Sequence, residues 1–351
     1  MRDKSLDLYR ALTLIYIVCV IHVVYWLPFD FEPYKGFLLW EMPTIFFIAG
    51  ASAQYASRKS IKEQIYNRSK RVLIPYYIYA FGSIFILFLI SLVPMIAKEI
   101  EFTIFDYKWS DLISVLLARS IPGIPMVRHL WFIVPYMLVT VLFCLQRKYM
   151  ERYSTKYLLS CVFIFICSEF LLKISHINLS QYHWIVKFVV LNTEYFLFYN
   201  IFFIAGFLYY KRISKRQVFY ILLLSLAAFL VLCKGTIPVM QERKFPPSTI
   251  FMFFSIIWLC LLSFIAPLIV SSGNRIIERW NKSGYTIYLY QNYAFLIFQI
   301  SISALISKSV GWNVIGFFVS VISLFVISTL LSYIVVPFEK AVMKITSRLT
   351  A

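Results

Sequence analysis

Apolar residues run along this chain in blocks of about twenty, separated by short polar or basic stretches. The first block, Ser5 to Trp26 (SLDLYRALTLIYIVCVIHVVYW), sets the pattern. About 20 apolar residues at ~1.5 Å each span the hydrocarbon core of a bilayer. Ten such windows are read along the sequence, at roughly 6–27, 37–56, 73–97, 130–146, 157–175, 184–209, 217–233, 249–271, 284–306 and 312–336. Only helices and closed barrels satisfy their backbone groups in lipid, and segments this long and this continuously apolar predict helices. The expected fold is an all-α, polytopic membrane bundle of about ten helices.

Composition agrees: 61% apolar residues, a mean hydropathy of +0.78 and 14% charged residues exclude a water-soluble globule. The first block has no small-residue cleavage site followed by a soluble domain, so it reads as a retained helix. The whole of 1–351 reads as one integral-membrane domain with no soluble domain appended. All six cysteines fall in or beside apolar runs without metal-ligand spacing, and read as small hydrophobes.

Charge supplies an orientation. With the N-terminus in the cytoplasm, the cytoplasmic segments hold 23 of the 34 lysines and arginines, which is the positive-inside bias and places both termini in the cytoplasm. The same bias, with attraction to anionic lipid headgroups, accounts for the net charge of +18, so membrane lipids and not nucleic acid are the expected partners. A multi-pass protein of the cell membrane, a plasma or bacterial inner membrane, is expected.

Against that background His22 stands out. An ionisable group inside a spanning segment is costly and marks a functional site by default. His22 lies about five residues from the outer end of the first helix and Glu41 about four residues into the second, so both sit in the outer third of the membrane, within reach of each other. A carboxylate bonded to one imidazole nitrogen fixes the tautomer and makes the other a better base. Arg128 and His129 open the fourth helix on the same side and, with Trp131, are the candidate substrate-binding residues; Tyr25, Trp26 and Trp131 near the outer mouth read either as interfacial anchors or as rings that stack on sugars. On the inner side Arg68, Lys70 and Arg71 precede Pro75, read as the first turn of the third helix. Their donors suit phosphate, although topology alone also demands a basic loop there. Arg10, about 18 Å from His22 along an ideal helix, faces this inner side. Glu169 and Lys173, four apart on one helix face, are expected to neutralise each other.

Five segments in order, DLYRALTLIYIVCVIH (7–22), MPTIFFIAG (42–50), RSKRVLIP (68–75), HLWF (129–132) and SGYTIYL (283–289), resemble landmarks of the acyltransferase-3 family of integral-membrane acyltransferases. The resemblance implies transfer of an acetyl or other short acyl group from cytoplasmic acyl-CoA to a hydroxyl of a cell-envelope glycan or lipid-linked sugar. It makes His22 the catalytic histidine, Arg10 its companion, and Arg68 with Arg71 the donor-side pair. A separate extracytoplasmic protein would supply any second acyl carrier.

The chain departs from the family pattern in two places. Eleven residues intervene between Arg10 and His22 where ten are usual; an offset of twelve turns His22 about 120° away on an ideal helix, whereas eleven returns it to nearly the same face. Either a π-bulge absorbs the extra residue or the arginine need not face the histidine. Where the family often has a histidine after its late motif, this chain has Tyr290 and Gln291, and glutamine cannot shuttle a proton. The rival reading is an exporter or flippase of a glycan or lipid-linked precursor, although no pair of inverted halves is evident.

Overall fold

The computed structural model describes residues 3–32, 34–55, 60–92, 109–118, 129–175, 181–269 and 274–349. Among them the architecture is helical throughout, with no strand. In chain order the helices are α1 (Lys4–Tyr16), a π-helical turn (Ile17–Ile21), α2 (His22–Trp26), α3 (Glu41–Ala53), α4 (Ile61–Ser91), α5 (Trp109–Leu116), α6 (Ile133–Ile174) and α7 (Trp184–Tyr209). They continue with α8 (Lys215–Cys233), α9 (Met240–Lys244), α10 (Thr249–Ile265), α11 (Arg275–Leu289), α12 (Gln291–Phe298), α13 (Ala304–Ser309) and α14 (Val314–Leu349). Polar residues set several starts: Asp3, Ser214, Ser248 and Asn274 each accept a backbone N–H of the first turn of the helix that follows.

By length and hydropathy seven helical segments of the described residues are able to cross a membrane, or eight if one bent pair counts as a single span. The ten sequence windows map onto these helices unevenly. Two of them, 130–146 and 157–175, share α6, whose 42 residues would reach ~63 Å, about twice the hydrocarbon thickness. The backbone leaves helical geometry at Ser154 (φ 42°, ψ −113°), and contacts with α7 reverse there. Before the break Phe143 packs on Phe203 and Phe207; at it Thr155 meets the Tyr209 hydroxyl at 2.7 Å; beyond it Phe165 returns to Phe198. The two arms of α6 are therefore antiparallel.

The window at 284–306 is a helix pair bent by 77° where α11 ends and α12 begins. At α4 the structure corrects the sequence reading. Helix begins at Ile61, so Arg68, Lys70 and Arg71 lie on a helix and Pro75 sits well inside it, not in its first turn. A run of good helix formers (Lys62, Glu63, Gln64) extends the helix past the end of the apolar window.

Glycine sets the closest approach in the bundle. A Cβ on Gly50 of α3 would stand 1.9 Å from the Phe203 carbonyl oxygen of α7, and one on Gly206 of α7 would stand 2.0 Å from that of Phe47. These helices touch backbone to backbone, as small residues permit in lipid. The exterior is apolar where that of a soluble protein is polar. Val231 (75% exposed), Ile334 and Leu224 face outward, while a few polar side chains, His22, Glu41, Lys244 and Gln291, are buried among the apolar ones. An apolar exterior with polar groups kept to the inside is what lipid selects.

Candidate active site

The first span shows how local geometry aims the site. Arg10 donates to Ser52 Oγ (2.7 Å) and Asn281 Oδ1 (3.3 Å) and lies 3.6 Å from the Asp7 carboxylate. One turn on, Leu14 fits beneath Gly284, where a Cβ would come within 2.2 Å of Leu14 Cδ1. The π-turn at Ile17–Ile21 follows, and His22 then faces Tyr288, ring centroids 6.0 Å apart. Arg10, Leu14 and His22 thus present one face to Asn281, Gly284 and Tyr288 of α11. Twelve residues of ideal helix would turn His22 about 120° off that face; the wider turn absorbs one residue and restores it. Of the two possibilities left open by the spacing, the bulge is the one observed.

His22 lines a cavity of ≈ 1170 Å³. Its ring stacks on Trp26 at 4.1 Å, it is 9% exposed, and its Nδ1 is buried with no hydrogen-bond partner. Nε2 is then the nitrogen within reach of a molecule in the cavity. Glu41 lines the same cavity but makes no hydrogen bond to His22; it is ion-paired with Lys244, both side chains almost wholly buried. Its second oxygen, Oε2, has no partner, and neither does Oε1 of Gln241, a further lining residue. The expectation that Glu41 orients the imidazole is replaced by a carboxylate neutralised from α9, where Lys244 and Gln241 stand. Sequence reasoning missed both: they lie in a short polar segment between apolar windows, VMQERKFPP, with no periodicity to show that it folds back over the cavity.

His129 and Trp131 also line the cavity. The Asn292 amide donates to His129 Nδ1 (3.0 Å), so Nε2 carries the proton and donates to the Tyr288 carbonyl (3.2 Å). Tyr288 returns its hydroxyl to the His129 carbonyl (2.9 Å). With both nitrogens engaged, His129 bolts the start of α6 to the bend between α11 and α12 and is not free as a base. Trp131 packs against Tyr195 and edge-on against Phe245, forming with Tyr25 and Trp26 an aromatic wall. Arg128 lies outside the described residues.

The basic residues of α4 are elsewhere. The Arg68 guanidinium lies 5.2 Å over the Phe143 ring, Lys70 lies over Tyr66, and Arg71 is exposed; none of the three lines the His22 cavity. Glu169 and Lys173 form the expected pair at 2.5 Å, and Glu169 also accepts from the backbone N–H of Thr249 (2.7 Å). Among the described residues no cluster of three His, Cys, Asp or Glu is placed to hold a metal ion.

A buried imidazole in a large polar and aromatic chamber, on a bundle with this order of motifs, agrees with the comparison to known families. A family model described as an acyltransferase domain matches residues 3–336, nearly the whole chain. The chain belongs to the acyltransferase-3 family. Membership makes it a membrane acyltransferase. No curated protein and no solved structure matches it.

Proposed function

We propose that this acyltransferase moves an acetyl or other short acyl group from acyl-CoA to a hydroxyl of a cell-surface glycan or lipid-linked sugar, with His22 as general base. The observation that carries the reading is a buried imidazole, one nitrogen reachable, on the wall of a cavity of ≈ 1170 Å³. A chamber of that volume has room for a thioester arm and a sugar together. Nε2 of His22 takes the proton of the acceptor hydroxyl as its oxygen attacks the thioester carbonyl carbon. The tetrahedral adduct collapses with cleavage of the C–S bond, and the CoA thiolate leaves with the proton from the imidazolium. The ester product and free CoA balance the reaction, and the base contributes about 10²–10⁴ in rate.

In this reading acyl-CoA approaches from the cytoplasmic, basic end, where Arg68, Lys70 and Arg71 receive its phosphates through forked and point-charge donors. Arg10 keeps the lower half of the first span seated on α11, and Trp26, Trp131 and Tyr195 give an apolar face to the sugar. The unpartnered acceptors Glu41 Oε2 and Gln241 Oε1 suit the hydroxyl groups of a polyol. The setting is a plasma or bacterial inner membrane, with the glycan on its outer side.

One observation favours an exporter instead: the 77° break between α11 and α12 beside the cavity is a form that transporters use at their binding sites. Purified protein in nanodiscs, incubated with radiolabelled acetyl-CoA and a panel of glycans, separates the readings. Wild type transfers label and His22→Ala does not. Transfer that survives the substitution removes His22 as the base, and failure of the wild type to bind CoA favours export.

A further inference from the structure

Gln291 is the first residue of α12, immediately after the bend, and is wholly buried. Both atoms of its amide lack a hydrogen-bond partner, although its side chain lies beside the His22 ring and the Tyr288 hydroxyl. A buried amide left unpaired is costly, and a membrane interior offers no bulk water to relieve it. His22 Nδ1 has the same deficit. The two side chains therefore stand side by side with unsatisfied atoms on each, a ring nitrogen able to carry a proton on one and an amide with an acceptor oxygen on the other.

Other neighbours of the imidazole already make contacts of their own. The Tyr288 hydroxyl donates to the His129 carbonyl, and the Asn292 amide donates to His129 Nδ1. Trp26 covers the face of the ring, not its edge. Lys244 is bound to Glu41 and has no acceptor to offer. Gln241 has a spare oxygen, but it stands on α9 with the Glu41–Lys244 pair.

We propose that Gln291 is the positioning residue of His22: its amide oxygen accepts the Nδ1–H of the imidazole and so holds Nε2 as the basic nitrogen toward the cavity. The role is the one a carboxylate plays in hydrolase triads, fixing one tautomer and one ring orientation. Here a neutral amide does it, which avoids burying another charge in the membrane. Gln291 touches neither substrate nor the transferred proton. The proposal rests on the reading of His22 as base, and its first test is independent of activity.

The protein labelled with ¹⁵N-histidine, in nanodiscs, gives the tautomer of each of its four histidines from long-range ¹H–¹⁵N correlations. His22 is expected in the Nδ1–H form. Gln291→Met, similar in length but without an acceptor, should mix the two tautomers and lower kcat about 10–100-fold, with KM for acetyl-CoA unchanged. Gln291→Glu restores an acceptor and should restore both the Nδ1–H form and most of kcat. A wild-type His22 in the Nε2–H form overturns the proposal, as does a tautomer unmoved in Gln291→Met. Should the Met variant not fold, the wild-type tautomer alone decides. Activity that survives His22→Ala would remove the base while leaving the tautomer result standing, so the two failures are distinguishable.

Discussion

The two ends of the first span handle polarity in opposite ways. At the end that carries Asp3 and Arg10, polar side chains are spent on one another: Asp3 takes Ser5 N–H, Lys211 and Tyr210, and Arg10 takes Ser52 and Asn281. At the His22 end, three cavity-lining side chains each keep an unpartnered polar atom, namely His22 Nδ1, Glu41 Oε2 and Gln241 Oε1. Buried unpaired groups are costly, so a folded chain keeps them where a ligand or a small rearrangement will satisfy them. One end of the helix is a fastening and the other is the candidate site. The π-turn at Ile17–Ile21 divides them.

The comparison breaks most readily at its open end. Removing the His22 imidazole is expected to cost about 10²–10⁴ in transfer rate and far less in thermal stability, since no salt bridge is broken and no buried charge loses its partner. Glu41 and Lys244 give the opposite result. Lys244→Met leaves a buried carboxylate without its counter-charge and should destabilise the protein by about 3–5 kcal/mol. The double variant Glu41→Gln, Lys244→Met, with no charge left to bury, should recover most of that loss. A double variant as unstable as the single one would show that the pair is held for packing alone.

The π-turn gives a geometric test of the boundary. Deleting Val20, its half-exposed residue, converts Ile17–Ile21 to ordinary helix and returns His22 to the α11 face at an offset of eleven. Transfer should stay within about tenfold of wild type. Inserting one alanine after Val20 adds a residue that no bulge absorbs, rotates His22 by about 100°, and should reduce transfer to the level of His22→Ala. Equal activity of the two variants would mean that the α11 face is not what aims the ring.

How much of this the sequence disclosed depends on how local the cause was. His22 was legible because one residue type was wrong for its surroundings, and the bulge was legible as one of two answers to a count of eleven. The family was legible from five short segments in order. Lys244 was not, because its partnership with Glu41 spans 203 residues and depends on α9 folding back over the chamber, which no periodicity encodes. The bend at Tyr290 was hidden in a window apolar enough to pass for one straight helix. The turn at Ser154 was legible as the gap between the windows 130–146 and 157–175; only its exact place was not, because helix formers such as Arg147, Lys148, Met150 and Glu151 carry α6 well past the first window. The outer-side place of His129 was legible from its helix end, but not that its ring is bolted to residues 159 and 163 positions away.

The smallest effect is expected at the fastened end, and its pH dependence follows from Asp3. Burial works to raise the Asp3 pKa, but hydrogen bonds from Lys211 and Ser5 and the Lys211 charge outweigh it, holding the carboxyl below its usual value of 3.8. A carboxyl lowered in the folded state stabilises the fold at every pH above its unfolded value, about 3.9, and loses that contribution as pH falls through the folded value. Asp3→Asn should therefore lower the melting temperature at pH 7, and the gap to wild type should close on acidification below about pH 4. Because Lys211 is 57% exposed, solvent screens the pair and the gap at pH 7 should be only about 1–2 °C. A gap that persists unchanged at pH 3 would show that the helix cap on Ser5, which an asparagine side chain also makes imperfectly, and not the charge, fastens this end. Either outcome leaves the His22 chamber untouched, since Asp3 and His22 are separated by nearly the whole length of the span.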